Sequence, residues 1–136
     1  MQNEAYVEVF VAGTPVPQGS LRASRHGHLY YSNAKTLGPW RNAITEAVSE
    51  ALPPDHEPID VGVFVEMTFW FPRPKTVTRE QKLTAPDTDK LARAIHDALT
   101  NAHLYTDDSR VVGFTARKYY ANEERPAGCL IRAWVD

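Results

Sequence analysis

Residues 86–120 read PDTDKLARAIHDALTNAHLYTDDSRVVGFTARKYY, and they decide the fold because a short polar link joins a helix to a strand within them. Leu91, Ile95, Ala98, Leu99 and Ala102 recur at helical spacing, which predicts a helix over about Thr88–Ala102 with Asp87 or Thr88 capping its first turn. HLYTDDS ends that helix, and the run from about Arg110 to Tyr120 is predicted as a strand. Upstream, Val61–Phe71 reads as a strand apolar enough on both faces to be central, closed by FPRP and followed by a polar loop over Pro72–Ala85. Trp40, Ile44, Ala47, Val48 and Ala51 mark a helix of about Lys35–Leu52, stopped by Pro53–Pro54. Tyr6–Ala12 alternates as a strand does, and NEERPAG turns the chain into a last strand, about Cys129–Val135. The order β-α-β-α-β-β implies one α+β domain over residues 1–136, with two helices packed on a mixed, largely antiparallel four-stranded sheet.

Composition narrows the function classes. No run approaches the roughly eighteen apolar residues of a membrane span, and the start MQNEAYVEVF lacks the charged and apolar regions of a secretory signal, so a cytoplasmic address and no membrane partner are expected. The single cysteine, Cys129, has no partner for a disulfide or a zinc site. His26, His28, His96 and His103 also fit no zinc-ligand spacing, and GTPVPQGS is no P-loop because no Gly-Lys-Ser/Thr follows it.

A net charge of −2 argues against a phosphate-rich partner until its distribution is considered. Between Gln18 and Thr45 stand Arg22, Arg25, Lys35 and Arg41 with no acidic residue, and Arg73, Lys75 and Arg79 form a second such stretch. Acids gather instead at 55–66, at 87–108 and at Glu123–Glu124. This segregation allows a basic surface around an acidic spot. The polar stretch from Gly13 to Asn33 is too long for a simple turn, which marks it as functional or disordered. Tyr30 and Tyr31, entering the first helix, are expected in the core, with stacking on bases as the alternative.

Asp87 and Asp89 stand two apart where extended chain turns into helix, so both carboxylates can face one ligand. Two carboxylates held that close repel each other unless a cation lies between them. Oxygen ligands of this kind suit Mg²⁺, which keeps waters and substrate phosphate in its shell. Helix capping alone also explains a D-x-D, and Asp107–Asp108 alone also explains a turn. Asp108 lies beyond the far end of the helix, roughly 20 Å from Asp89 along the axis at about 1.5 Å per residue. Either the loop folds back or a second chain contributes.

The stretch 86–120 resembles the RusA-like Holliday-junction resolvases, in which a helix reads D-x-D-(N/K)-L-x-(K/R)-A-x-x-D-A-L and is followed by an aromatic residue, D-D and a strand starting V-V. A softer resemblance, to phage-borne members, lies in GTPVPQGSLRASRHGHLYY at residues 13–31, followed by Trp40–Arg41. The resemblance implies a crossover junction endodeoxyribonuclease of DNA recombination and repair, a dimer that binds Mg²⁺ through its acids at the centre of a four-way junction. It implies that Asp87, Asp89 and Asp108 are catalytic and bind the metal, with Asp107 beside them in a lesser role. It further implies that tertiary or dimer geometry closes the distance to Asp108.

The family's lysine one turn beyond the second acid is Arg93 here, which keeps the charge and meets phosphate as a fork. Some members carry a basic residue before the first acid where this chain has Pro86, so that phosphate contact is either lost or supplied by Arg79 or Lys82. Arg22, Arg25 and Lys35 are expected to hold the DNA arms through phosphate, with Arg73, Lys75 and Lys90 as further contacts. Two opposed cuts in a two-fold symmetric junction imply a C2 homodimer. Two other readings stay open, a branched-DNA-binding module that does not cut and a Mg²⁺-dependent nucleotide phosphoesterase.

Overall fold

Strand β4, Val63–Phe71, alternates without a break. Val63, Val65, Met67, Phe69 and Phe71 are buried, and the residues between them are half-buried on the opposite face. That pattern belongs to a central strand with helices on one side only. The computed structural model, which describes residues 4–136, places β4 between β6 (Gly128–Val135), antiparallel to it, and β5 (Val111–Tyr120), parallel to it. Strand β1 (Val7–Ala12) pairs antiparallel with β6, giving the order β1-β6-β4-β5. The parallel pair needs a crossover between its strands, and α2 (Thr88–Asn101) supplies it.

Helix α1 (Ala34–Ala51) buries Leu37, Trp40, Ile44 and Val48, while α2 buries Leu91, Ala92, Ala94, Ile95, Ala98 and Leu99. These stripes meet the inward rows of the sheet, including Ile131 and Phe69, both fully buried. Each such side chain contributes about 1.5–3 kcal/mol through removal from water. The helices are joined at their polar edges, where Arg41 Nη1 lies 3.3 Å from Asp97 Oδ2. The other sheet face carries the aromatic pairs Phe64–Trp134 and Phe10–Trp70. Arg132 lies on that face between Glu8 and Glu66.

The α+β architecture is therefore the expected one, with two helices on a mixed four-stranded sheet. Three details differ from the sequence reading. The stretch between Gly13 and Asn33 holds a small hairpin, β2 (Leu21–Ala23) against β3 (Leu29–Tyr31), outside the main sheet. Its turn runs Ser24-Arg25-His26-Gly27, closed by Gly27 N donating to Ser24 O, with Gly27 at φ 83°. Tyr30, expected in the core, is 46% exposed on β3, because it is on the opposite face of the strand from Tyr31, which packs against the core. A 3₁₀ turn over Asp108–Arg110 precedes β5. Among the described residues no helix is long and apolar enough to cross a membrane.

Candidate active site

The acid pair is set at the root of α2 by a lysine on the neighbouring strand. Lys118 pairs in register with Phe69, so its side chain leaves β5 on the helix side, where apolar residues are the rule. Its Nζ donates to Thr84 O and to Pro86 O, both at 2.7 Å, and so holds the turn that delivers Asp87 to the helix. Asp87 is the N-cap, extended at φ −72° and ψ 145°, and its backbone oxygen accepts from Leu91 N. Its side chain makes no capping hydrogen bond. The carboxylate is exposed at the positive end of the helix dipole, free for another ligand. Asp89 is in the first turn, its side chain 66% exposed, with Arg93 Nη2 at 4.0 Å.

Asp89, Arg93, His96 and Thr100 follow one another at helical spacings of four, three and four, so they line one face of α2. Arg93 is exposed along this stripe, and Asp97 is not its partner, being held by Arg41 of α1. His96 is half-buried, with its ring edge-on to Phe114 of β5 at 4.8 Å. Burial shifts its pKa below the ordinary histidine value, against the opposing charges of Asp108 and Asp97. Tyr105 donates to His96 O, and burial pushes its phenol up to about 12.

These neighbours locate Asp108. Its charge acts on His96, in the C-terminal half of α2, and on Tyr105, just beyond the helix, whereas the Lys118 clamp and the Asp87–Asp89 pair lie at the N-terminal end. Asp89 and His96 are separated by roughly 10 Å of helix axis. Within one chain Asp87 and Asp89 are together and Asp108 is not with them. Among the described residues no group of three or more His, Cys, Asp or Glu stands close enough to hold a metal ion. Asp107 is engaged locally, because it caps the 3₁₀ turn by accepting from Ser109 N at 2.8 Å, and the bonds from Ser109 hold its carboxyl below the usual range.

The cations divide in the same way. Arg22, Arg25, Lys35, Lys75 and Lys90 are exposed. The guanidinium of Arg73 instead donates to Ala121 O, Val77 O and Arg79 O and covers the Tyr120 ring, which makes it a staple of the 72–86 loop. The hairpin is tied to the acid pair's end of α2 through Gln18 N, which donates to Lys90 O at 3.0 Å.

Residues 12–127 match the family described as Endodeoxyribonuclease RusA, a span that includes both acid pairs, Arg93 and the hairpin. The chain belongs to the RusA family. Uncharacterized protein YqaN of Bacillus subtilis (strain 168) is 29% identical to it over 133 residues, covering 88% of this chain and 91% of its own length. The RusA family is a family of endodeoxyribonucleases, which supports nuclease activity for this chain. Lys118 and Arg41 were not singled out in the sequence as site residues. For Lys118 the mark was there, a lysine at the inward parity of a strand between Ala116 and Tyr120.

Proposed function

We propose that the protein is a Mg²⁺-dependent, structure-selective endonuclease that resolves four-way DNA junctions by paired symmetric nicks in recombination and repair. It would act in the cytoplasm as a C2 homodimer. The observation that carries this reading is the pair of exposed carboxylates at the start of α2, Asp87 with no capping bond and Asp89 with only the long contact to the exposed Arg93, in a RusA-family chain. The pair fits Mg²⁺ in its usual protein mode, in which one or two carboxylates share the ion with water and substrate phosphate. When bound, the ion supplies positive charge to the scissile phosphate. Asp87 and Asp89 hold it, and Arg93 binds a non-bridging phosphate oxygen through its fork. Arg22, Arg25 and Lys35 hold the DNA arms, with Lys75 and Lys90 as further phosphate contacts.

The experiment that tests this is incubation with a synthetic four-way junction and with matched duplex, in Mg²⁺ and in EDTA. Symmetric nicks confined to the junction with Mg²⁺ are expected. Nicks on the duplex to the same extent, or none on either, overturn it. Replacing Arg22 and Arg25 together by Ala is expected to reduce the log–log salt slope of junction binding by about one to two, since each phosphate contact contributes about 0.7–0.9. An unchanged slope removes the hairpin cations from the interface.

A second reading, a junction-binding module that does not cut, is favoured by the separation of Asp108 from Asp87 and Asp89 within one chain. Our reading answers it by taking Asp108 from the second copy, so that each site combines Asp87, Asp89 and Arg93 of one protomer with Asp108 of the other. Co-assembly of Asp89→Asn with Asp108→Asn subunits then leaves one site carrying both changes and one site intact. Mixed dimers are expected to nick one strand of the junction while each variant alone is inactive. Inactive mixed dimers exclude the shared site.

A further inference from the structure

The hairpin β2–β3 is exposed in a way that core packing does not explain. A two-stranded ribbon is marginal in water on its own, so it needs an anchor. Here the anchor is its root. Gln18 donates through Nε2 to Tyr31 OH at 3.0 Å and through its backbone N to Lys90 O, and Asn33 Nδ2 donates to Pro17 O at 2.7 Å. Arg41 of α1 covers the Tyr31 ring, 5.7 Å from its centroid. Gly19 lies close against this root, where an added Cβ would push aside the side-chain ends of Asn33 and Ser32.

Strand parity fixes what the hairpin presents. Tyr31 faces the body of the protein, so Tyr30 faces away from it, directly across the ribbon from Arg22. Tyr30 is 46% exposed. No acidic residue occurs between Gln18 and Thr45, whereas Arg22, Arg25 and Lys35 do, so the surface around the ring is complementary to a polyanion. An exposed aromatic ring beside an arginine is the pairing by which unpaired bases are held, the ring stacking on the base and the cation meeting the backbone. The root bond to Lys90 sets the hairpin beside Asp89, at the end of α2 where the scissile phosphate would lie.

We infer that the β2–β3 hairpin is a base-stacking arm, in which Tyr30 stacks on a nucleobase unpaired at the branch point and Arg22 binds the adjoining phosphate. The inference rests on the junction-resolving reading above. It assigns structure selectivity to the arm, since continuous duplex offers no free base face there and an opened branch point does. Arg25 and Lys35 add affinity for either DNA.

The test uses the full-length protein in EDTA, so that binding is read without cutting. Tyr30→Ala is expected to weaken binding to the junction about tenfold and leave binding to matched duplex unchanged, with Tyr30→Trp retaining junction affinity. With 5-iodouracil at the branch point, photocrosslinking is expected at Tyr30, and with the same base placed within an arm it is not. Equal loss on junction and duplex, a crosslink from the arm position only, or conversion of Tyr30→Ala from dimer to monomer overturns the arm. If the wild-type protein nicks the junction with Mg²⁺ but Tyr30→Ala binds both DNAs normally, the arm fails and the enzyme reading survives. If the wild-type protein neither prefers nor nicks the junction, both fail together.

Discussion

Asp89→Asn is expected to lower single-turnover cleavage of a bound four-way junction in Mg²⁺ by about 10³-fold. The side chain is exposed and makes one long contact, 4.0 Å to Arg93, so its removal takes little from the fold. What it removes is one of two oxygen donors for the ion, along with much of the charge stabilisation that a bound metal brings, worth several kcal/mol at about 1.4 kcal/mol per factor of ten. Binding should respond in the opposite direction. A neutral amide in place of a carboxylate takes one negative charge away from phosphate, so junction affinity measured in EDTA should stay equal or become tighter. Asp87→Asn and Asp108→Asn should behave alike, with Asp107→Asn milder because Asp107 is tied to Ser109 in the 3₁₀ turn. Retention of the full rate in Asp89→Asn would remove the acid pair from the reaction.

The sequence made the fold legible where burial is one-sided and long. In α2 the residues Leu91, Ile95, Ala98 and Leu99 must all face the sheet, and that constraint writes a helical period that needs no tertiary knowledge to read. β4 was legible as central from its apolar run, although only one of its faces is covered and the other is half-buried behind Phe10, Leu130 and Trp134. The hairpin was not legible as strands. Its three-residue strands are nearly all exposed, so no burial imposes alternation on them, and Gly27 was its one local mark.

The site was legible in part for the same reason. Two acids at the start of a helix share a location by local geometry alone, which spacing can show. Asp108 cannot be placed that way, because its position depends on how β5 returns beside α2. The return is antiparallel to the helix, with His96 against Phe114 and Lys118 beneath Pro86, and it leaves Asp108 at the far end. Among the described residues of one protomer the three acids accordingly form no group that could hold a metal ion.

Arg93→Ala is expected to lower the single-turnover rate by roughly 10²-fold, as the loss of one preorganised electrostatic stabiliser does. Two partners compete for this guanidinium in principle, Asp89 one turn before it and Asp97 one turn after it. Asp97 is already paired with Arg41 across the helix interface, and Asp89 approaches only to 4.0 Å with both side chains about two-thirds exposed. Exposed pairs of that length contribute little to stability, so the melting temperature of Arg93→Ala should move by no more than about 3 °C. With no strong partner in the protein, the fork is available to the phosphate held by Asp87 and Asp89, and its charge matters most where charge develops during bond breaking. Arg93→Lys keeps a cation at the same helix position and should recover much of the rate, losing only what the bidentate geometry adds. A rate unchanged in Arg93→Ala, with a melting temperature lowered by several degrees, would make Arg93 a structural residue of the helix surface and leave the transition-state charge to the metal alone.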